Sequence, residues 1–150
     1  MENTDWKILP FDKLSLMELH DVLKLRIDVF VVEQECAYEE IDGKDPECFH
    51  LIYYRNGKLA CTARIAPAGV IYGEVSIGRV ITAESERKSG LGKALMEHCI
   101  RFCKEELQAK RIKIAAQLYL KDFYGNLGFE KISDVYPWDG IDHIDMRLLI

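Results

Sequence analysis

The sequence predicts an α+β domain on a mixed, mostly antiparallel sheet of about six to seven strands. Three observations carry that expectation. Strand and helix periodicities follow one another in the order β, α, β, β, β, α, β, α, β, β. Asn56-Gly57 separates two apolar runs, and both residues tolerate the positive φ that a tight hairpin requires. A strand–helix–strand passage over 76–117 implies one parallel pair inside the sheet, because a crossover helix returns the chain in the same direction.

Each element has its own signal. Residues 5–9 (DWKIL) read as a short first strand. Ser15 and Glu18 form a capping box, and Leu19, Val22, Leu23 and Ile27 recur at helical spacing to about Phe30, with a broken second turn through Gln34. Residues 33–47 are acidic, aperiodic and hold Asp42-Gly43 and Pro46, so a loop is expected. Strands follow at 48–55, 58–67 and 74–82. The next helix gathers Leu91, Leu95, Cys99, Phe102 and Cys103 on one side and Lys93, Glu97, Arg101, Lys104 and Glu105 largely on the other. Residues 111–117 form a strand, 118–128 a short helix ended by Gly128, and 129–136 with 143–150 a closing antiparallel pair split by Pro137 and Asp139-Gly140.

Length and composition bound the function. A chain of 150 residues, about half of them apolar, fits one domain spanning 1–150 with its own core. The net charge of −5 argues against nucleic acid, since Arg87, Lys88 and Lys93 are too few for a duplex footprint. The five cysteines, Cys36, Cys48, Cys61, Cys99 and Cys103, show no zinc spacing, and no metal site is expected. The odd count and the lack of a secretory leader read as reduced thiols in a cytoplasmic protein. No apolar run approaches the roughly 20 residues of a membrane span.

Residues 87–94, RKSGLGKA, lie between a strand and a helix. A P-loop fails here because Arg87 stands at the first glycine and Ala94 lacks the hydroxyl that holds magnesium. A dinucleotide fingerprint fails because Leu95 occupies its third glycine position and no parallel βαβ unit precedes it. The looser pattern [RQ]-x-x-G-x-[GA] is met by Arg87, Gly90 and Gly92. Its chemistry is anion binding by the orphan amides at a helix start, with glycines removing the Cβ atoms that would block a diphosphate. A plain glycine turn with a solvated basic rim is the other reading of these residues.

The motif does not stand alone. Phe123-Tyr124 and Gly128-Phe129 match FYxxxGF, and the two blocks in this order resemble the GCN5-related N-acetyltransferase (GNAT) superfamily. LRIDVFVVEQECAYEEIDGKD (25–45) and DGIDHIDM (139–146) further resemble the ElaA-like bacterial subgroup, with Asp142 where a proline often precedes the histidine. The resemblance implies a three-layer α/β/α fold with helices on both faces of the sheet, and acetyl-CoA as the acyl donor. It assigns the diphosphate to Arg87, Lys88, Ser89, Gly90, Leu91, Gly92, Lys93 and Ala94, chiefly through backbone amides from Gly90 to Ala94. It assigns the pantetheine arm to a bulged strand at Val80, Ile81 and Thr82, with Phe123 and Tyr124 beside the coenzyme.

The same resemblance makes Tyr124 the acid that protonates the leaving thiolate, although a packing ring is the alternative. The base is less determined. His143 titrates in the working range, with Asp142 beside it able to raise its pKa, but a backbone-bonded structural histidine fits equally. Glu33 is the second candidate; a surface ion pair or a contact to the acceptor's charge would also explain it. Ordered water is the third. His50, opening a central strand, reads as structural. The seven acids in 33–47 form either a rim that attracts a cationic amine or a solvated loop, and Arg26 pairs either with them or with an acceptor carboxylate. The function expected is N-acetylation of a small-molecule or peptide amine in a ternary complex. The alternative is an acyl-CoA-binding module without turnover. A homodimer is compatible with the fold.

Overall fold

The computed structural model describes residues 6–35 and 39–150. Cys36 lies outside the described residues; the other four cysteines are buried free thiols. Burial pushes Cys48 up to about 11 and Cys61 and Cys103 up to about 12, which removes them from thiolate chemistry.

Strand β1 (Trp6–Pro10) leads into α1 (Leu16–Arg26). The capping box forms as the sequence predicts: Ser15 N–H donates to Glu18 Oε1 at 2.9 Å, and Glu18 N–H donates to Ser15 Oγ at 3.0 Å. Beyond Arg26 the helix widens into a π-helical turn, Ile27–Glu33, closed by Gln34 N–H on the Val29 carbonyl. That widened turn takes the place of the broken one expected. Strands β2 (Phe49–Arg55), β3 (Lys58–Ala66) and β4 (Val75–Thr82) form a meander. Its first turn has φ of 55° at Asn56 and 76° at Gly57, as a primed hairpin turn requires. Helix α2 (Leu91–Glu105) crosses to β5 (Arg111–Gln117), and α3 (Lys121–Asn126) follows. The chain closes through β6 (Glu130–Lys131), β7 (Tyr136–Trp138) and β8 (Ile141–Leu149).

Among the described residues the sheet therefore has eight strands, in the order β1-β2-β3-β4-β5-β8-β6, with β7 also on β8. The extra strand arises because residues 129–138 meet β8 twice. Between the two contacts, the Ser133 hydroxyl accepts the Asp145 N–H and breaks the ladder. Pro137 does not split the pair. It lies inside β7, at the sheet edge where a missing N–H is tolerated, and the hairpin turn is made by Asp139 and Gly140, both at positive φ.

Strand alternation divides the core between two faces. Leu51 belongs to the buried cluster that holds Leu95, Met96 and Cys99 of α2 and Tyr124 of α3, whereas its neighbour Ile52 belongs to the one that holds Val22 of α1 and Leu59. The helices thus cover both faces, α1 on one and α2 with α3 on the other. Each fully buried Leu or Ile adds about 1.5–3 kcal/mol.

The acidic segment is divided: Glu33, Glu35, Glu39 and Glu47 are exposed, as a solvated loop predicts, and the other three acids are not. Glu40, Asp42 and Asp45 turn inward onto three arginines. Arg26, 1% exposed, donates from Nε to Glu40 at 2.6 Å and from a terminal nitrogen to Asp45 at 3.0 Å. Arg64 donates to Asp42 at 2.9 Å and to Asp45 at 3.1 Å. Arg79 donates to Glu40 Oε2 at 2.7 Å and to the Glu40 carbonyl at 2.9 Å. Three charges of each sign balance. His50 is structural, as expected: its Nε2 lies 3.0 Å from the Asp45 carbonyl, and burial lowers its pKa.

Candidate active site

The site is built where the sheet parts. Strands β4 and β5 pair only at Val75↔Ile112 and Ser76↔Lys113; beyond these residues the two strands have no register partners in each other. On its other side β4 carries a bulge. Its register with β3 passes from Arg64↔Gly78 to Thr62↔Ile81, which leaves Arg79 and Val80 of β4 opposite Ala63 alone. Val80 consequently has no register partner on either neighbouring strand, and Arg79 stands at φ 49°, rare for a non-glycine residue.

At the mouth of this opening, α2 begins. Gly90 is its N-cap at φ 80°, a conformation in which a side chain would be strained, and no side chain caps the helix. The first turn's N–H groups at Leu91, Gly92 and Lys93 therefore lack intrahelical partners. Ala94 departs from the expected set: its N–H already donates to the Gly90 carbonyl at 3.3 Å, as the first regular bond of the helix. A Cβ on Gly92 would meet only the Phe123 ring at 3.7 Å, an ordinary contact, so packing within the chain does not require glycine there. The Ser89 hydroxyl donates to the Glu86 carbonyl, whereas Lys88 and Lys93 are exposed.

Arg87 is not a free cation at the rim. Its two terminal nitrogens each lie 2.9 Å from the Glu33 carboxylate, and its Nε donates to the Thr82 carbonyl at 3.3 Å. Hydrogen bonding from Arg87 lowers the Glu33 pKa. The next residue, Gln34, exchanges amide contacts at 3.3 Å with Gln117 at the end of β5. The end of the π-helical turn thus touches both the loop after β4 and the tip of β5.

Tyr124 lies on α3, 7% exposed, with its ring edge-on to Phe123 and Phe129. Burial raises its pKa, and its hydroxyl makes no hydrogen bond among the described residues. His143 pairs across β5 with Gln117, and paired residues share a face. Its neighbour Ile144 belongs to the core under α2. His143 and Tyr124 are therefore on opposite faces of the sheet. His143 Nδ1 lies 2.8 Å from the Ile141 carbonyl, which can only accept, so Nδ1 is the donor. Tyr136 and Trp138 flank its ring.

Sequence reasoning passed over Arg64, Arg79, Gln34 and Gln117. For the arginines a signal was present: Arg64 stands between Ala63 and Ile65, and Arg79 between Gly78 and Val80, in strands otherwise built for burial. A charge in such a run demands a buried partner, and the nearby acidic segment supplies it.

A mixed sheet parted beyond its parallel pair, with an uncapped glycine-led helix at the opening, is a framework that suits an acyltransferase. The chain belongs to the GNAT acetyltransferase family, since residues 18–150 match the family described as Acetyltransferase (GNAT) domain. It is 41% identical over 150 residues to the UPF0039 protein C11D3.02c of Schizosaccharomyces pombe, covering 99% of both chains. It is 38% identical over 144 residues to protein ElaA of Escherichia coli, covering 95% of this chain and 94% of ElaA. An acyl-CoA N-acyltransferase from Pseudomonas aeruginosa superposes with a TM-score of 0.90 at 38% identity, covering 96% and 99% of the two chains. The ElaA-like subgroup is thereby supported, and the chemistry of the family is acyl transfer to an amine. Among the described residues, no helix is long and apolar enough to cross a membrane.

Proposed function

We propose that the protein transfers an acetyl group from acetyl-CoA to the primary amine of a small-molecule or peptide acceptor, by direct attack in a ternary complex. The observation that carries this reading is the uncapped start of α2 beside the parted strands: orphan amides at Leu91–Lys93 for a diphosphate, and an opening next to Val80 for the thioester arm. The P. aeruginosa structure, described as an acyl-CoA N-acyltransferase, supports the donor class.

The amine nitrogen attacks the thioester carbon, and the carbonyl electrons move to oxygen. A backbone N–H at the bulge receives that oxyanion, an interaction worth about 3 kcal/mol in comparable sites. Collapse expels the coenzyme thiolate, which takes the Tyr124 proton; burial raises the phenol's pKa and so opposes this transfer, and the phenolate regains its proton from solvent as CoA leaves. The amine's proton goes to His143 Nε2, directly or through water. Glu33 is the weaker candidate, because its bond to Arg87 keeps the carboxylate ionised and lowers its basicity. Such a donor and acceptor are cytoplasmic in kind, and a net charge of −5 gives no support to a nucleic-acid partner.

One observation favours a second reading, an acyl-CoA-holding module without turnover: Arg87 and Glu33 occupy one another, which takes a charge from the coenzyme rim and a base from the acceptor side. Calorimetric titration with acetyl-CoA, followed by a thiol-release assay across a panel of amines, separates the two. Amine-dependent release of CoA supports the enzyme. Tight binding without it supports the module, and absence of binding removes both.

A further inference from the structure

The β4 bulge and the buried ion cluster are joined at one residue. Arg79 lies in the bulge, and its φ of 49° is a left-handed conformation that costs a residue bearing a Cβ free energy unless something holds it there. The constraint is visible. Arg79 Nε donates to Glu40 Oε2 at 2.7 Å, one of its terminal nitrogens donates to the Glu40 carbonyl at 2.9 Å, and the same nitrogen lies 3.4 Å from Asp42 Oδ2. Glu40 cannot yield, because its Oε2 also accepts from Arg26 Nε at 2.6 Å and both side chains are 1% exposed. Arg26 is in turn tied to Asp45, and Asp45 to Arg64. The guanidinium of Arg79 is thus anchored to a fixed point 39 residues away in sequence, at the place where β4 leaves β5.

We propose that Arg79 is a positioning residue for acyl transfer: clamped by Glu40, it holds the β4 bulge so that the Val80 N–H meets the thioester carbonyl. The proposal rests on the reading of the opening between β4 and β5 as the acetyl-CoA site. Arg79 itself contacts no reacting atom. It fixes the peptide that does, because the left-handed turn at Arg79 sets the direction of the following N–H. The rest of the cluster need not collapse without it. Glu40 keeps Arg26, and Asp42 keeps two bonds to Arg64, at 2.9 and 3.0 Å.

The test separates strain from anchoring. Arg79→Gly leaves a residue at ease with positive φ but removes the clamp. Arg79→Lys keeps the charge and loses the fork that spans the Glu40 carboxylate and carbonyl. The probe is acetyl-CoA labelled with carbon-13 at the thioester carbonyl. Calorimetry gives its affinity, and isotope-edited infrared spectroscopy gives the carbonyl frequency of the bound molecule. In the unmodified protein the band moves to lower frequency on binding, because a hydrogen bond polarises the carbonyl. In Arg79→Gly the band returns toward its position in solution while affinity holds within a small factor, and with a competent amine kcat falls about 10²-fold at unchanged acetyl-CoA KM. Arg79→Lys gives an intermediate band. An unmoved band in folded Arg79→Gly overturns the proposal. Should that variant fail to fold, Arg79→Lys decides: a displaced band supports the proposal and a wild-type band overturns it. Failure of the unmodified protein to bind acetyl-CoA at all is a different result, since it removes the reading of the site and the proposal with it.

Discussion

Replacing Glu33 with glutamine should tighten coenzyme binding. The family motif places Arg87 near the coenzyme diphosphate, yet the Arg87 fork is already closed on Glu33 by two contacts of 2.9 Å. If Arg87 meets the diphosphate, Glu33 must release it. The side chains of Arg87 and Glu33 are 36% and 45% exposed, so water screens the pair and its worth lies between about 0 and 1 kcal/mol. Removing the competing carboxylate therefore lowers the Kd for CoA by at most about fivefold. Titration with CoA and with pantetheine, which lacks the diphosphate, isolates the effect. In Glu33→Gln the CoA affinity rises and the pantetheine affinity does not, and the gain shrinks as salt is added. Weaker CoA binding in Glu33→Gln would refute the reasoning, since it would mean that the ion pair prepares the loop for the coenzyme instead of competing with it. An equal gain for pantetheine would refute it as well, because Arg87 would then have no part in reading phosphate.

Three further outcomes follow from the site and its surroundings. Tyr124→Phe should lower kcat by about 10- to 100-fold with little change in acetyl-CoA KM, a modest loss for an acid because a thiolate leaves readily; steady-state CoA release checks it, and unchanged turnover would reduce Tyr124 to a packing ring. His143→Ala should abolish the limb of the pH–rate profile that rises from acid pH as a base loses its proton, and a limb that survives would assign it to another group. Asp42 opposes burial with hydrogen bonds from Arg64 and the Lys44 N–H and with the charges of Arg64 and Arg79, so its pKa falls from 3.8 to about 2. A carboxylate depressed in this way stabilises the fold fully above the ordinary value and loses that contribution as pH falls toward 2, a loss of about 2 kcal/mol. Acid-unfolding curves of Asp42→Asn should be flatter over that window, and identical curves would contradict the assignment.

Local chemistry was legible in the sequence and distant chemistry was not. Ser15 with Glu18, Asn56 with Gly57, and Gly90 leading α2 each settle a structure within a few residues, so reading them needs no tertiary information. The limits 111–117 of β5 follow likewise from alternation alone. The closing strands did not yield, because the break between β6 and β7 depends on Ser133 meeting Asp145 twelve residues on. The roles of the charged residues were hidden for the same reason. Arg87 and Glu33 are 54 residues apart, and Arg79 and Glu40 are 39 apart. Periodicity could place each of these side chains on an element but could not pair them. For the acids of 33–47, Arg26 stood close enough in sequence to be weighed as a partner, whereas Arg64 and Arg79 lie in strands further along the chain.

The shortness of the parallel pair gives the two-faced arrangement its chemical use. A continuous sheet would separate Tyr124, which lies on α3 on the face covered by α2, from His143, which faces the other way beside Gln117. Because β4 and β5 hold together only at Val75↔Ile112 and Ser76↔Lys113, the layer opens beyond them, and a group lying in the gap can be approached from either face. An amine arriving on the His143 side and a thiolate leaving on the Tyr124 side then need no common surface. In the proposed reaction the two proton transfers would be kept apart by the thickness of the sheet, so the proposed base could not exchange directly with the proposed acid. The bulge at Arg79 lies at the edge of the same gap, which is where a donor to the developing oxyanion has to be.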